Sequence, residues 1–599
     1  MRSPARVLNS LTKHSQTTEY RFERLYRILL NEEMYYLAYQ RIYAKPGNMT
    51  QDADGKTIDR MSLSRIEKLI ASLKDESYSP QPSRRMYIPK KNGKTRPLGV
   101  PSFDDKLVQE VVRMVLEAIY EGHFEDTSHG FRPHRSCHTA LNAVQKTFTG
   151  KKWFIEGDIK GFFDNVNHDI LIDILKERIS DERFIRLIRK FLKAGYLEQW
   201  QFHGTYSGMP QGGIISPILA NIYLDKLDKY MKEYAAGFDR GNRVRAYREY
   251  EVLTYQKRLV MRELKTATNN VERKVLVKRL KEIDKTRSAM PCFDPMDGNF
   301  KRLKYVRYAD DFLIGIIVSK VKIKDDIKRF LADRLALELS DEKTLITHTE
   351  KPAKFLGYEV TVRRSNLQKR NKRGSLSRVY GNKVRLKVTT EVIKKKLLEL
   401  GVLKFSYHNG HEQWIPKHRS ELINNDDLEI LDSYNAEIRG FYNYYSIANN
   451  ASELNTFHYI MQYSMYKTFA GKYRTTVRRI CRKYKRNGVF TVGYTVKNGK
   501  AKERRLYNEG FKRKRPSYDR SVDRCPNPMP GVSTTSLIDR LKAQKCELCG
   551  ATDNLVMHHV RKLGELKGKE NWEKLMIARR RKTMAVCGSC HQKIHHGTF

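Results

Sequence analysis

The sequence lacks long hydrophobic runs and contains few cysteines. Its longest uninterrupted apolar stretch spans residues 312–318, whereas a bilayer-spanning helix needs about 20 apolar residues. No apolar segment follows the N-terminus, which argues against a secretory signal. Eight cysteines in 599 residues exclude a disulfide-stabilised scaffold and favour a reducing compartment. We therefore expect no membrane association and a bacterial cytoplasmic location, with an organelle left open.

Acidic residues are also scarce relative to basic ones. The chain contains 115 Lys and Arg but only 68 Asp and Glu, a formal net charge of +47. This excess argues against an enzyme of small metabolites and indicates a polyanionic partner. Because 40% of the residues are hydrophobic and 10% aromatic, the chain is too apolar for a disordered basic tail. The length predicts about three to five folded domains.

Local patterns indicate a mixture of helices and strands. They predict helices in 24–43, 104–122, 168–194 and 325–338, a basic hairpin at 84–99, a strand at 153–158, an extended segment at 196–206, a helical insertion at 225–300, and a basic linker or loop at 365–385.

Three acidic residues lie next to apolar strand patterns. Asp158 ends one predicted strand, and Asp310 and Asp311 lie between two apolar half-strands. Neighbouring carboxylates repel one another, and a divalent cation such as Mg²⁺ relieves that repulsion through oxygen ligands. The pair by itself also fits a polar hairpin tip on the surface.

The acidic residues belong to a series of six sequence blocks. In chain order the blocks are 129–133 (HGFRP), 158–164 (DIKGFFD), 208–213 (GMPQGG) with Ser216-Pro217, 308–311 (YADD), 339–343 (LSDEK) and 355–358 (FLGY). This order resembles reverse transcriptases. From about residue 20 to its end, the chain resembles a group II intron-encoded protein, which combines a reverse transcriptase, a maturase and an HNH endonuclease.

The resemblance implies an α+β fold. It comprises a right-hand polymerase of fingers, palm and thumb, with a palm sheet and a helical thumb, followed by a zinc-stapled ββα-metal (HNH) domain. The expected domains are an N-terminal extension with fingers (1–125), fingers and palm (126–365, with the insertion at about 225–300), thumb or domain X (366–475), a basic DNA-binding region (476–540) and the HNH domain (541–599).

The resemblance also assigns roles in the polymerase. Asp158, Asp310 and Asp311 would bind two Mg²⁺ ions, with Asp311 the less certain ligand. Phe163, or else its neighbour Phe162, would pack under the incoming sugar and exclude ribonucleotides. The remaining expected contacts are Lys90 and Arg96 to the triphosphate, Gln211 in a glycine-rich turn near the nascent base pair, and Lys343 to the primer terminus.

The thumb is expected to contact intron RNA. From residue 467 to 520 the chain contains 19 Lys or Arg and three acidic residues. Dense positive charge predicts phosphate contacts, although charge alone carries no sequence specificity. The predicted contacts are Arg439, Lys472, Arg474, Arg478 and Arg479. The nearby rings of Phe441, Tyr444 and Tyr445 either stack on bases or form the core of a helix bundle.

The C-terminus carries two C-x-x-C pairs. Cys546, Cys549, Cys587 and Cys590 suit tetrahedral Zn²⁺. The surrounding histidines resemble an HNH nuclease, which would make His559 the general base and His558, His591 and His595 the ligands of Mg²⁺ or another divalent ion, with His596 an alternative to His595. The usual Asn is absent near Lys582-Thr583, so a structural zinc fold that binds DNA stays an alternative.

The resemblance predicts an enzyme that copies intron RNA into DNA, assists splicing and nicks target DNA to prime the reaction. Its partners would be group II intron RNA, target DNA and dNTPs, and it would form a homodimer on RNA. The alternative is a splicing-only maturase, an RNA-binding cofactor with an inactive polymerase or nuclease. A viral-type RNA-dependent polymerase is disfavoured by Phe163 and the Cys/His tail.

Overall fold

The computed structural model describes most of the chain. The described residues are 3–44, 47–51, 55–89, 95–198, 201–205, 207–209, 212–294, 297–317, 321–370, 374, 376–495, 501–523, 537–579 and 581–597.

The N-terminal region is a helical layer next to a small sheet. Its helices are Pro4–Ser15, Glu32–Ile42, Leu63–Lys74 and Phe103–Tyr120, with short 3₁₀ turns at Tyr26–Leu30 and Glu121–His123. The fingers sheet has the order Thr95–Val100, Ser83–Pro89, Tyr196–Glu198, Gln201–His203. Its first two strands pair antiparallel, as the Asn-Gly signal predicts. The predicted extended segment forms the other two strands.

The palm is a four-stranded antiparallel sheet. Its strand order is Leu303–Tyr308, Asp311–Ile316, Trp153–Asp158, Leu345–His348. The helices of this region are Cys137–Thr147, Phe162–Asn165, His168–Lys176, Glu182–Lys193, Ser216–Phe238 and Val321–Leu335. The predicted helix at 168–194 is divided because Asp181 caps a second helix, accepting from the backbone N–H groups of Arg183 and Phe184.

The insertion forms two helices, Arg248–Thr266 and Asn270–Ala289. They bury only a small cluster of their own, centred on Val260, Leu276 and Ile283. Most other side chains of the pair are exposed. The predicted start of the insertion at about 225 is too early, because residues 225–238 belong to the helix Ser216–Phe238, whose Leu227 and Met231 are buried in the main core.

The thumb contains a long hairpin and a helix bundle. Its strands are Ala353–Phe355, Tyr358–Arg370, Leu376–Lys387, Leu403–His408 and His411–Pro416. Its helices are Thr390–Glu399, Asp427–Tyr445, Leu454–Lys472 and Val477–Tyr484, with 3₁₀ turns at Ser420–Leu422 and Ala451–Glu453. The prediction of a linker at 365–385 is wrong, because Tyr358–Arg370 and Leu376–Lys387 pair as antiparallel strands.

The basic region continues the thumb. It contains the strands Lys485–Arg486, Val489–Thr495 and Ala501–Arg505 and a 3₁₀ turn at Arg520–Asp523. Phe490 and Tyr507 are buried in the same hydrophobic core as Tyr434 of the thumb. The core therefore does not divide at residue 475.

The C-terminal domain packs against the N-terminal helices. Its strands Leu555–His559 and Thr583–Cys587 pair antiparallel. Its helices are Leu537–Lys542, Asn571–Arg579 and Gly588–His596, with a 3₁₀ turn at Leu563–Glu565. Leu541 and Met557 share one core with Tyr39 and Met61. No helix among the described residues is long and apolar enough to cross a membrane.

Candidate functional site

The palm sheet brings the three predicted carboxylates to one edge. Asp158 is the last residue of its strand, and the register pairs it with Asp311. Tyr308 also pairs with Asp311, across the hairpin, so Ala309 and Asp310 form the turn. Ala309 has φ +57°, the left-handed conformation that tight two-residue hairpin turns require.

The carboxylates interact electrostatically. Burial, together with the charges of Asp310 and Asp158, raises the pKa of Asp311 to about 7. Lys343 Nζ donates to Asp158 Oδ2 at 2.6 Å and offsets part of the negative charge. Crowded carboxylates of this kind are stabilised by a hard divalent cation. This donor chemistry suits Mg²⁺, and the assignment of these residues to a magnesium site stays a prediction.

A buried ion pair contacts the backbone of this hairpin turn. Sequence reasoning missed this pair. The side chains of Arg307 and Asp228 are both 0% exposed. Arg307 Nε and Nη2 donate to the Asp228 carboxylate at 2.8 and 2.5 Å. Arg307 Nη1 also donates to the carbonyl oxygen of Ala309 at 2.8 Å. The available signal in the sequence was an arginine in the strand Leu303–Tyr308, two residues before the turn.

The 129–133 block contacts the same turn. The N–H of His129 donates to the carbonyl oxygen of Arg307 at 3.0 Å, and Asn221 Nδ2 donates to the carbonyl oxygen of Gly130 at 2.8 Å. A Cβ at Gly130 would lie 2.4 Å from the backbone nitrogen of Ala309. Glycine is required because the two backbones touch.

A cavity of about 340 Å³ lies between the fingers sheet and the palm, and Phe163, Gln109, Gly99 and Met209 line it. Phe162 is only 2% exposed and belongs to the hydrophobic core. Of the two neighbouring rings, Phe163 is the one that lines the cavity. Lys90, Gln211 and the side chain of Arg96 lie outside the described residues.

The predicted RNA-contacting residues differ in their surroundings. Arg439, Arg474, Arg478 and Arg479 are exposed. Lys472 instead donates from Nζ to Asp427 Oδ1 and to the carbonyl oxygen of Asn425, both at 2.7 Å. The charge of Lys472 is therefore engaged within the thumb, which corrects its expected role as a free phosphate contact.

The thumb aromatics belong to the core. Phe441 and Tyr445 are buried, and the ring of Phe441 stacks on Phe457 at a centroid distance of 4.3 Å. The Tyr444 hydroxyl donates to the carbonyl oxygen of Leu356 at 2.9 Å. Of the two interpretations of these rings, the helix-bundle core is the one that the contacts favour.

The four predicted zinc ligands converge. The sulfur atoms of Cys546, Cys549, Cys587 and Cys590 lie within 4.8 Å of one another, and Cys549 Sγ is 3.7 Å from Cys587 Sγ. Tetrahedral ligation with Zn–S bonds of about 2.3 Å places neighbouring sulfurs about 3.8 Å apart. The cluster therefore fits zinc.

The predicted nuclease histidines also converge, with one addition. His558, His591 and His595 form a group with Asp59, which is supplied by the N-terminal region. Asp59 Oδ2 lies 3.0 Å from His591 Nε2 and 2.9 Å from His595 Nε2. Sequence reasoning missed Asp59 because it lies about 500 residues earlier in a loop without a recognisable motif.

His558 is suited to bind a metal ion. Its side chain is 4% exposed. Among the described residues, its Nε2 has no hydrogen-bond partner, and its Nδ1 meets only Asp59 Oδ1, at 3.5 Å and without hydrogen-bond geometry. Buried imidazole nitrogens normally have partners, so this exception fits a ligand position. The residues present therefore fit a divalent cation.

His559, the predicted general base, lies beside this group but is enclosed. Its Nε2 is 2.8 Å from the Tyr39 hydroxyl, and its N–H donates to Asp59 Oδ1 at 2.8 Å. Burial lowers the pKa of His559 to about 3. Across the hairpin His559 pairs with Thr583, where the usual Asn was sought.

Three parts of the sequence match models of known protein families. Residues 88–255 match "Reverse transcriptase (RNA-dependent DNA polymerase)", residues 382–515 match "Type II intron maturase", and residues 546–591 match "AI2M/AI1M-like, HNH endonuclease". The matched regions include the palm strand with Asp158, the exposed thumb arginines, the four cysteines, and the histidines His558, His559 and His591, whereas His595 lies beyond the last matched residue.

Individual proteins show the same similarity. The chain is 44% identical over 606 aligned residues to the group II intron-encoded protein LtrA of Lactococcus lactis subsp. cremoris, covering 100% of both chains. It is 34% identical to a COX1/OXI3 intron 1 protein of Saccharomyces cerevisiae, covering 96% of this chain and 69% of that one. A structure of Candida albicans telomerase with a telomeric RNA fragment is 11% identical and covers 70% of this chain and 60% of that chain, with a TM-score of 0.34; at that score the likeness carries no argument.

Proposed function

Because this chain belongs to the group II intron-encoded proteins, with reverse transcriptase, maturase and HNH endonuclease domains, we propose that Asp158, Asp310 and Asp311 form its polymerase centre. One observation carries this assignment: the antiparallel register brings the residues together at one edge of the palm sheet. Carboxylates that lie at the same edge of a sheet are close enough to act together on one reacting phosphate, even when they are distant in the sequence.

The polymerase residues have distinct roles in this proposal. Asp158 and Asp310 would hold two Mg²⁺ ions, and Asp311, which pairs with Asp158 across the sheet, would add a third carboxylate. When bound, such ions activate the primer 3′-hydroxyl and stabilise the leaving pyrophosphate. Lys343, which contacts Asp158, is the proposed contact to the primer terminus. Lys90, Arg96 and Gln211 complete the proposed nucleotide contacts.

Primer extension tests the assignment. The purified chain, an RNA template with an annealed DNA primer, dNTPs and Mg²⁺ should yield cDNA. No cDNA, together with tight template binding, would instead favour the splicing-only maturase.

Phe163 is the proposed selector of deoxyribonucleotides because its ring lines the cavity between fingers and palm. Replacing Phe163 with Val should admit the 2′-hydroxyl and reduce the ratio of kcat/KM for dNTPs over rNTPs. Steric discrimination of this kind contributes about 1–3 kcal/mol, so the ratio should fall about tenfold or more.

The neighbouring ring provides the control for this selectivity. Phe162→Leu should lower the melting temperature, because Phe162 is a core residue, yet leave the nucleotide preference unchanged. An unaltered preference in the Phe163→Val variant would refute the role of Phe163.

The exposed thumb arginines are the proposed contacts to intron RNA. In the helix Val477–Tyr484, Ile480 and Tyr484 face the core, whereas Arg478 and Arg479 are exposed. Because Phe490 and Tyr507 join the thumb core, we treat the thumb and the basic region as one nucleic-acid-binding unit. Arg439 and Arg474 extend its charge.

Replacing Arg478 and Arg479 together with Ala should weaken intron RNA binding. Each lost phosphate contact reduces the slope of log K against log salt by about 0.7–0.9. Filter binding across a salt series measures this slope. The matched Arg→Lys double variant keeps the charge and should keep the slope, while an unchanged slope in the Ala variant would contradict the assignment.

The C-terminal domain is the proposed target-DNA nuclease, with Zn²⁺ at the four cysteines as its structural ion. His558, His591 and His595 hold the nuclease ion, and His559 Nε2 accepts a proton from the attacking water.

Target DNA, dNTPs and a second copy of the chain on intron RNA complete the proposed partners. The proposed compartment is the bacterial cytoplasm, by analogy with the Lactococcus relative.

A further inference from the structure

The nuclease centre contains an oxygen donor from outside its own domain. Asp59 is only 11% exposed in its side chain, and its carboxylate faces the three histidines. Its oxygens lie 2.9 and 3.0 Å from His595 and His591 and 3.5 Å from His558 Nδ1. Donors that share an ion at about 2.1 Å are about 3.0 Å apart at right angles and about 3.4 Å apart in a tetrahedron. The distances from the Asp59 oxygens to the three imidazole nitrogens are therefore those expected for donor atoms that share one metal ion.

The docking of the two domains fixes this carboxylate. The N–H of Met557 donates to the carbonyl oxygen of Met61 at 2.8 Å, which joins the nuclease strand to the N-terminal segment. Met61 and Met557 are both fully buried. Asp59 also accepts the N–H of His559. The position of Asp59 is thus a property of the domain interface and not of a loose loop.

The same interface encloses the proposed base. His559 is 5% exposed, and its Nε2 is engaged with the Tyr39 hydroxyl, which itself is fully buried within the N-terminal helix Glu32–Ile42. A general base must reach the water whose proton it accepts. In the docked arrangement that nitrogen faces a tyrosine hydroxyl and not a solvent channel.

The metal side of the centre, in contrast, is open. A cavity of about 1110 Å³ reaches it and is lined by Arg60, Arg84, Arg561 and His595, among others. His595 is 49% exposed in its side chain. An ion can therefore enter the centre while the base stays covered. A nuclease ion must also bind the scissile phosphate; as a ligand, the Asp59 carboxylate would take one of the positions on the ion and reduce its positive charge.

On the basis of the proposed nuclease function, we propose that Asp59 is a fourth ligand of the nuclease ion, and that Asp59 and Tyr39 together hold the nuclease closed while it is docked on the N-terminal helices. The docked form binds the ion but does not cut. Separation of the interface frees a coordination position for phosphate and Nε2 of His559 for water.

Mn²⁺ binding to the full chain tests the ligand. All proteins in this titration carry Asp310→Ala, which weakens the competing polymerase site, and Mn²⁺ is followed by electron paramagnetic resonance. Asp59→Asn should weaken the affinity of the nuclease site about tenfold, the effect of losing about 1.4 kcal/mol. Glu67→Gln, an exposed carboxylate on the neighbouring helix, should leave it unchanged. Equal affinity in the Asp59→Asn variant and the wild type would overturn the ligand assignment.

Nicking of supercoiled plasmid at saturating Mn²⁺ tests the closure. Asp59→Asn and Tyr39→Phe should each nick faster than the wild type, by about tenfold if release costs about 1.4 kcal/mol. Tyr39→Phe keeps the ring packing and loses only the hydroxyl, and Tyr43→Phe is its control. Nicking by both variants at or below the wild-type rate would overturn the closed form.

A third variant distinguishes failure of the closed-form proposal from failure of the proposed nuclease function. His559→Ala should abolish nicking in the wild type and in both releasing variants. Nicking that persists without His559 would refute the general base itself, whatever Asp59 does. Primer extension is measured with Asp59→Asn and Tyr39→Phe proteins that keep Asp310. Their extension rates should equal that of the wild type, which would show that both variants are folded.

Discussion

Replacement of Asp310 with Ala is expected to reduce cDNA synthesis by about 10³-fold or more. Asp310 occupies the hairpin turn beside the paired residues Asp158 and Asp311. Loss of a metal-holding carboxylate removes several kcal/mol of transition-state stabilisation, and about 4 kcal/mol corresponds to 10³-fold in rate. Single-turnover primer extension at saturating dNTP and Mg²⁺ measures the chemical step directly.

Intron RNA binding should stay near the wild-type affinity in this variant, because the exposed arginines of the thumb belong to another part of the chain. Asp173→Ala is a matched control, since Asp173 is an exposed carboxylate on a palm helix. Extension by Asp310→Ala at the wild-type rate would refute the carboxylate assignment. Loss of both extension and RNA binding would indicate a folding defect, which thermal unfolding would reveal.

The second large effect is expected at the buried ion pair behind the acidic turn. Asp228→Asn leaves the Arg307 guanidinium buried without its charged partner. Breaking a buried pair in this way costs about 3–5 kcal/mol, a large share of the stability of a typical domain. Denaturant unfolding should show the loss. Polymerase activity should fall as well, because Arg307 also holds the carbonyl of Ala309 next to Asp310.

A double-mutant cycle separates the charge from the packing. Arg307→Met combined with Asp228→Asn removes the unpaired charge and should recover part of the stability lost in Asp228→Asn. Activity should not recover, since Arg307→Met removes the donor to the carbonyl oxygen of Ala309. The exposed pair Lys160–Glu338, 62% and 59% accessible, is the control, and Glu338→Gln should cost less than about 1 kcal/mol. Equal losses at the two pairs would contradict the supporting role of Arg307.

Local sequence patterns predicted the strands that carry the three palm carboxylates. The apolar strand ending at Asp158 and the two half-strands around Asp310 and Asp311 are present, because alternating or continuous apolar residues demand burial in a sheet. The pattern failed at 365–385. Its polar and basic side chains resemble a linker, yet the backbone pairs as a long hairpin, and backbone hydrogen bonds depend little on the side chains.

The surroundings of individual charged and aromatic side chains were harder to predict than the positions of helices and strands. Lys472 and Arg478 look alike in the sequence, but only Lys472 meets an acidic partner, Asp427. Phe441 and Tyr445 suited both stacking and packing until the helices around them were placed. In each case the deciding contact comes from a residue distant in sequence.

Several groups can be recognised without a structure: acidic residues at strand ends, four cysteines in two pairs, clustered histidines and a strongly basic region. Such groups show their chemistry through residue type and spacing. Two other features appear only in the folded chain: Arg307 pairs with Asp228 next to the acidic turn, and Tyr39 and Asp59 contact the C-terminal histidines. Those contacts join residues separated by up to about 500 positions, and no local periodicity records which distant surfaces pack together.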